Sequence, residues 1–407
     1  MAKITLREIS DARMRPNILR SILTIAVVIL VFAYQFRMGW FYLGGKNGFG
    51  DFGYVLERIP CIKGNWDNLY GPRTEEVCSG YIYGSSLLVL LDAIGMSLST
   101  LVPISYGLAA SLVFIYLWTI LKDKSSIAQN VLAVALLFSP PVILLIERMN
   151  VDVIVFLCVY AATKMPNRVA KWIAPLLIAL STLFKFYTLP LILIMLKEAR
   201  GKLRIYLFTV LVSTLVIISI DLSRIEGLPW DARNMFGNAI WGEYLLYLVK
   251  GPQTHANFIA SSMLGIAILI FVSYLVQKLD IDVELKKVAP KSDQKLFIFC
   301  FILYLTCYFS GLSVDYRLIF LLFAYVLFEA MFTLNWTGLM IVRLSILATF
   351  YMSYNVEKLQ PLGDLTQLVA LLILAKGLSS LIGLTARNIF DKSLIIARII
   401  LSGIARN

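Results

Sequence analysis

Apolar runs of about twenty residues recur from one end of the chain to the other, separated by short polar links. Such runs predict membrane-crossing helices, because in hydrocarbon every backbone polar group has to be satisfied within its own segment. The first lies over residues 21–42 and closes on an aromatic belt of Trp40, Phe41 and Tyr42. Residues 85–96 are apolar but too short to cross and carry Asp92, so they predict a helix lying in or dipping into the interface. Residues 99–122 cross back, and residues 129–146 return through Pro140-Pro141, which has to break or kink that span. Further crossings are predicted up to Lys164, over residues 172–187 and 188–196 with Lys185 and Pro190 at the break between them, and over 205–220 and 257–276. Residues 296–309, 318–334, 338–354 and 365–384 complete a total of about twelve.

The basic residues order these spans. Lys3, Arg7, Arg13, Arg15 and Arg20 precede the first one, which predicts a cytoplasmic N-terminus and a retained signal anchor rather than a cleaved peptide. Two long polar intervals then fall on the opposite face, about residues 43–98 and 221–256. Lys122, Lys164, Lys197 and the charged stretch 278–295 fall on the cytoplasmic side, as does a tail (387–407) that resembles a basic amphipathic helix. The expected fold is all-α and polytopic, a single membrane domain over residues 1–407.

Composition agrees. The chain is 59% hydrophobic and 15% charged, whereas soluble domains are about a quarter charged. A net charge of +12 would suggest nucleic acid in a soluble domain; here the inter-span Lys and Arg account for it, so the partner is the bilayer and not nucleic acid. Cys158, Cys300 and Cys307 sit inside apolar runs and read as small buried hydrophobes, while Cys61 and Cys78 share the first outer loop and could join in a disulfide if that compartment is oxidising. One histidine and no CxxC exclude the usual zinc patterns, and no phosphate- or dinucleotide-binding glycine motif occurs, so no cofactor is expected.

Charges at the outer face are harder to explain. Asp51, Arg58 and Lys63 lie in the first loop, Glu147, Arg148 and Asp152 in a short link, Lys185 at a break, and Asp315 and Arg317 in a late link. Ionisable groups at membrane depth mark a cavity or pathway by default. Arg and Lys beside a carboxylate at headgroup depth suit a phosphate-bearing lipid: the cations hold the phosphate and stabilise it as a leaving group, and the carboxylate takes a proton from an attacking hydroxyl. Asp51, set among Gly50, Gly53 and Tyr54, is the candidate base; Arg148, Lys185 and Arg317 are the candidate phosphate ligands. Plainer readings stand beside these: an Asx turn for Asp51, snorkelling for Arg148 and Arg317, ion pairing with Arg317 for Asp315, solvated charges for Glu57 and Arg58. Arg343, inside a span, either pairs with an intramembrane acid or snorkels.

The order of these features resembles the GT-C-fold glycosyltransferases that use polyprenyl-phosphate sugars, most closely the family 87 mannosyltransferase-like proteins. Gly50-Asp51-Phe52-Gly53-Tyr54, then Leu69-Tyr70 and Tyr81-Ile82-Tyr83, are similar to that family's acidic residue, Leu-Tyr and Tyr-Pro-Pro succession ahead of an interfacial helix. Glu147-Arg148-Met149-Asn150 stands where the family often has Gly-Gln-x-Asn, and Lys185 followed by Pro190 resembles its Lys-x-x-Pro with two extra residues. The stretch from His255 through Asn257 to Ser261 resembles an Asn-Gln-Ser element, and Asp315-Tyr316-Arg317-Leu318 resembles the Asp-Tyr-Arg-Leu of related enzymes. Tyr83-Gly84 lacks the prolines and Arg148 replaces Gly-Gln, so the sugar or acceptor differs from the family's mannosyl chemistry where those residues matter.

The resemblance spans most of residues 20–330. It implies a metal-free inverting transfer of a sugar from a polyprenyl phosphate to a glycan or glycolipid hydroxyl, on the outer face of a bacterial plasma membrane, with Asp51 as base. Tyr54, Arg58, Asn150, Asn257, Asp315 and Tyr316 are then the expected substrate contacts. Two competitors stay open. A transporter or flippase of lipid-linked sugar would also use short broken spans, and a polysaccharide polymerase or ligase would use arginines such as Arg224 and Arg233 in the second outer loop.

Overall fold

The structure, a computed structural model, describes residues 24–30, 49–64, 85–121, 127–224, 235–236, 258–279, 281–285, 290–309, 313–314, 317–355 and 360–381. The chain packs as two units, one of Met1–Cys158, Leu180–Phe186 and Val212–Pro229, the other of Val159–Ala179, Tyr187–Leu211 and Trp230–Asn407.

The first unit begins with α1 (24–30), α2 (Gly50–Glu57), α3 (Cys61–Gly64) and α4 (Ser85–Ala93). A 3-10 turn then leads into α5 (Leu101–Leu121), followed by α6 (Ile127–Leu137), α7 (Pro140–Arg148) and α8 (Asp152–Lys164), the last passing into the second unit after Cys158. Eight residues are too few for an isolated helix to persist in water, so α2 owes its shape to packing. Phe52 and Val55 are 0% exposed and Leu56 is buried, and this face lies on α4, α5 and α7.

The break between α6 and α7 follows from its sequence. Ser139 precedes a proline and is held extended (φ −69°, ψ 150°), and the next helix starts with Pro140-Pro141, which fit a first turn that needs no N–H partners. The Ser139 hydroxyl donates to the Leu136 carbonyl at 2.6 Å, and the two helices meet at a bend of 46°.

α9 (Asn167–Phe184), α10 (Leu189–Glu198) and α11 (Lys202–Arg224) follow, and α11 continues past the outer-loop boundary expected after residue 220. The rest of the second unit contains α12 (Phe258–Lys278), α13 (Lys291–Phe309), α14 (Leu318–Met331), α15 (Trp336–Asn355) and α16 (Gln360–Leu381). Its core is α14, with twelve consecutive residues buried from Leu318 to Glu329. The α15–α16 hairpin closes tightly, and Gly377 admits the Phe328 ring so closely that a Cβ there would stand 2.5 Å from it.

Two short antiparallel pairs amend the all-α expectation. β1 (Met235–Phe236) pairs with β3 (Ser313–Val314), and β2 (Val283–Leu285) pairs with β4 (Phe332–Leu334). The span expected over 318–334 therefore ends as helix at Met331 and finishes as strand. Each pair joins two segments that the charge pattern assigns to one membrane face.

Leu98–Leu121 and Lys202–Ile220 are long and apolar enough to cross a membrane, yet only 33% and 28% of their apolar windows are buried. Val102, Phe114, Trp118, Ile205, Phe208 and Val216 lie exposed along them. Apolar stripes of that extent are foreign to a soluble monomer and natural against lipid. Leu362–Leu381 is a third such helix and the bent α6–α7 pair a fourth, while Phe186–Lys197, Leu318–Met331 and Trp336–Met352 are apolar but shorter. The fold is that of a predominantly helical membrane protein.

Candidate functional site

α2 presents Asp51 in its first turn, and the Gly53 N–H that an Asx turn would use donates instead to the Phe49 carbonyl at 2.8 Å. The carboxylate instead meets the link that follows α7. Arg148 approaches Oδ1 through Nε at 2.9 Å, and Asn150 Nδ2 donates to Oδ2 at 2.6 Å. A backbone bond seals the junction, with Phe49 N–H donating to the Glu147 carbonyl at 2.6 Å.

Backbone conformation on both sides of the junction is unusual. Phe49 (φ 62°) and Met149 (φ 45°) are the non-glycine residues with positive φ among those described. Met149 caps α7 in a Schellman arrangement: its N–H reaches the Ile146 carbonyl at 3.3 Å, and Asn150 N–H reaches the Leu145 carbonyl at 3.4 Å. Glycine is the usual occupant of that position, and a side chain there costs about 1–2 kcal/mol. Phe49 is held by its backbone bond and by an edge-on ring contact with Tyr106 at 5.2 Å. Such strain persists where surroundings over-determine it, and it gathers at functional sites.

Behind the junction lies a buried ion pair. Asn150 and Asp152 are each 0% exposed. Asn150 Oδ1 accepts the Asp152 backbone N–H at 3.0 Å, and the Asp152 Oδ1 stands 3.8 Å from Lys185 Nζ. Lys185 occurs where α9 has just ended, its own N–H still bonded to the Ser181 carbonyl. A continuous line thus runs from Asp51 through Asn150 and Asp152 to Lys185, all within the first unit. The Arg148 side chain keeps 42% of its surface exposed and touches Asp51 through Nε, which leaves the outer end of its fork accessible to an anion.

Arg58 is the C-cap of α2, seven residues and about two turns on from Asp51. The solvated charge expected of it is corrected: it is 8% exposed, with its guanidinium 3.3 Å from the centroid of the Tyr54 ring and Nη1 donating to the Tyr54 carbonyl at 3.1 Å. Glu57 beside it is exposed as expected. In the second unit, Arg317 caps the start of α14 and places its guanidinium 5.1 Å from the Tyr187 ring centroid. Asn257, Asp315, Tyr316 and His255 lie outside the described residues. Cys61 is disulfide-bonded; Cys78 lies outside the described residues, and Cys158, Cys300 and Cys307 are thiols outside any disulfide.

Arg343 takes the first of its two sequence readings. Its Nε donates to Glu329 Oε1 at 2.7 Å, and the Tyr325 hydroxyl reaches the same oxygen at 2.6 Å. Lys164 and Asp293 likewise pair where α8 ends and α13 begins. These pairs join helices within the second unit and account for charges that reasoning on the site does not need.

No protein-family model, curated protein or solved structure matches the chain. Function is therefore argued from the residues themselves. Sequence reasoning missed Asp152 as Lys185's partner, although one signal pointed to it: an acid opening an apolar helix favours the helix N-terminus and, at membrane depth, needs a cation.

Proposed function

We propose that this protein is an inverting glycosyltransferase of GT-C type, with about twelve crossings, that moves a sugar from a polyprenyl phosphate to a glycan or glycolipid hydroxyl on the extracytoplasmic face. The observation that carries this reading is the meeting of Asp51 with Arg148 and Asn150, which lie 97 and 99 positions further along the sequence.

The chemistry balances without a further reactant. Asp51 accepts the proton of the acceptor hydroxyl as its oxygen attacks the anomeric carbon from the face opposite the phosphate. The anomeric C–O bond breaks, and its electron pair leaves on the polyprenyl phosphate. Arg148 meets that developing charge, and Lys185 is the further cation of the same unit assigned to it. Tyr54 and Arg58 on α2, with Asn257, Asp315 and Tyr316, are assigned to the substrates. The disulfide at Cys61 supports an oxidising, extracytoplasmic setting for α2 and α3.

The bent α6–α7 pair favours one competitor, a flippase of lipid-linked sugar, since broken helices also serve alternating access. Offering purified protein in liposomes a panel of polyprenyl-phosphate sugars with a glycolipid acceptor separates the two. Transfer consumes the donor, releases its polyprenyl phosphate and leaves the sugar on the acceptor with inverted anomeric configuration. Movement of donor across the bilayer without consumption would replace this reading with the flippase.

A further inference from the structure

Asn150 invites a role that its neighbours define. It is 0% exposed, so its side chain has no water to turn to. Its Oδ1 is engaged by the Asp152 N–H at 3.0 Å, which fixes the orientation of the amide and leaves Nδ2 facing Asp51 Oδ2 at 2.6 Å. On the other oxygen Arg148 Nε stands at 2.9 Å. The Asp51 carboxylate is thereby gripped at both oxygens, and rotation about its terminal torsion, broad for a free carboxylate, is stopped.

The two grips differ in kind. Arg148 is a long side chain with 42% of its surface exposed, whereas Asn150 is short, buried and placed by a strained Met149 at the end of α7. Asn150 is also tied to the backbone of the residue whose carboxylate faces Lys185. The rigid reference for Asp51 is therefore Asn150.

We propose that Asn150 is the positioning residue of Asp51, a role that rests on the glycosyl-transfer reading for its chemical purpose but not for its geometry. Asn150 donates to one lone pair of Oδ2, aims the remaining lone pairs at the acceptor hydroxyl, and does not itself contact the sugar. A misplaced base of this kind loses about 100-fold in rate when displaced by an ångström. The requirement is for an amide: a carboxylate of the same shape could still accept the Asp152 N–H but could not donate to Asp51.

Asn150→Asp tests this, since it keeps the shape and the bond to Asp152 while replacing the donor with an acceptor that also sets a second negative charge against Asp51. The charged groups facing the position, among the described residues, are Asp51 on α2, Arg148 on α7 and Asp152 with Lys185 behind it. In the liposome transfer assay the variant is expected to lower kcat by about 10- to 100-fold with KM unchanged. Moderate acidification is expected to narrow the deficit relative to wild type, because the two carboxyls then share one proton, which restores a hydrogen bond between them; full protonation silences Asp51 in both proteins. A raised KM at unchanged kcat would overturn the proposal by making Asn150 a substrate contact, and so would a rate loss that does not respond to pH.

A second arm needs no turnover and separates this proposal from the reading beneath it. Thermal unfolding of Asp51→Ala, Asn150→Ala and the double variant in detergent is expected to be non-additive, the double variant losing less in Tm than the sum of the singles. Additive losses would overturn the clamp whatever the protein transfers. A wild-type protein that consumes no polyprenyl-phosphate sugar, with a non-additive cycle, would overturn the glycosyl-transfer reading and leave the clamp standing.

Discussion

Lys185 and Asp152 form a buried ion pair within the first unit. Asp152 is 0% exposed and Lys185 8% exposed, so each charge depends on the other for its solvation. Removing one partner of a buried pair leaves an uncompensated charge and costs about 3–5 kcal/mol, whereas exchanging both for apolar side chains is close to neutral. Lys185→Met is accordingly expected to lower the unfolding midpoint strongly, and Lys185→Met with Asp152→Leu to restore most of it, as read by thermal unfolding in detergent. Equal losses in single and double variants would mean that the pair contributes no mutual stabilisation. At this scale the sequence was partly legible. Asp51, Arg148 and Lys185 stood out because ionisable groups at membrane depth are costly. Asn150's grip and Arg58's burial did not stand out: both depend on which way a short helix docks, and an uncharged amide or a loop arginine carries no penalty that a pattern would expose.

Among the elements, α2 is the one whose placement decides the site. Its N-terminal end is held by Phe49 on Glu147 and by Asp51 on Arg148 and Asn150; beyond its C-terminal end, Cys61 is tied in a disulfide. A helix of eight residues anchored at both ends loosens when either anchor is cut. Cys61→Ser is expected to cost about 2–4 kcal/mol and to speed hydrogen exchange of the amides in residues 50–57, measured by mass spectrometry. Unchanged exchange there would mean that the apolar face of α2 suffices alone. The Pro140-Pro141 break and the break at Lys185 were readable in advance, since proline's missing donor acts locally, whereas the leg expected over residues 172–187 is the 18-residue α9 from Asn167 to Phe184. The strands were not: two or three residues make no period, and β1–β3 and β2–β4 arise only when distant loops are brought side by side.

For the whole molecule, the apolar periodicity identified a helical membrane protein, because span length is set by the bilayer and not by neighbours. The two small sheets bear on its sidedness. α14 separates β3 from β4 by 14 residues, about 21 Å of helix, so the sheets lie at opposite ends of it. Single cysteines placed at 235 or 313 in a background without the native thiols are expected to react with a membrane-impermeant maleimide from one side of oriented vesicles. Those at 284 or 333 are expected to react from the other side only, and labelling of all four from one side would contradict a membrane-crossing α14.

The most direct measurement is transfer by Asp51→Asn. The substitution keeps the shape of the side chain and its contact with Asn150 while removing the carboxylate that accepts the proton. With wild-type folding confirmed by an unchanged Tm, turnover of the polyprenyl-phosphate sugar is expected to fall by about 10²–10⁴-fold, the usual worth of a general base. Turnover at the wild-type rate would contradict the assignment of Asp51 and, with it, this account of the site.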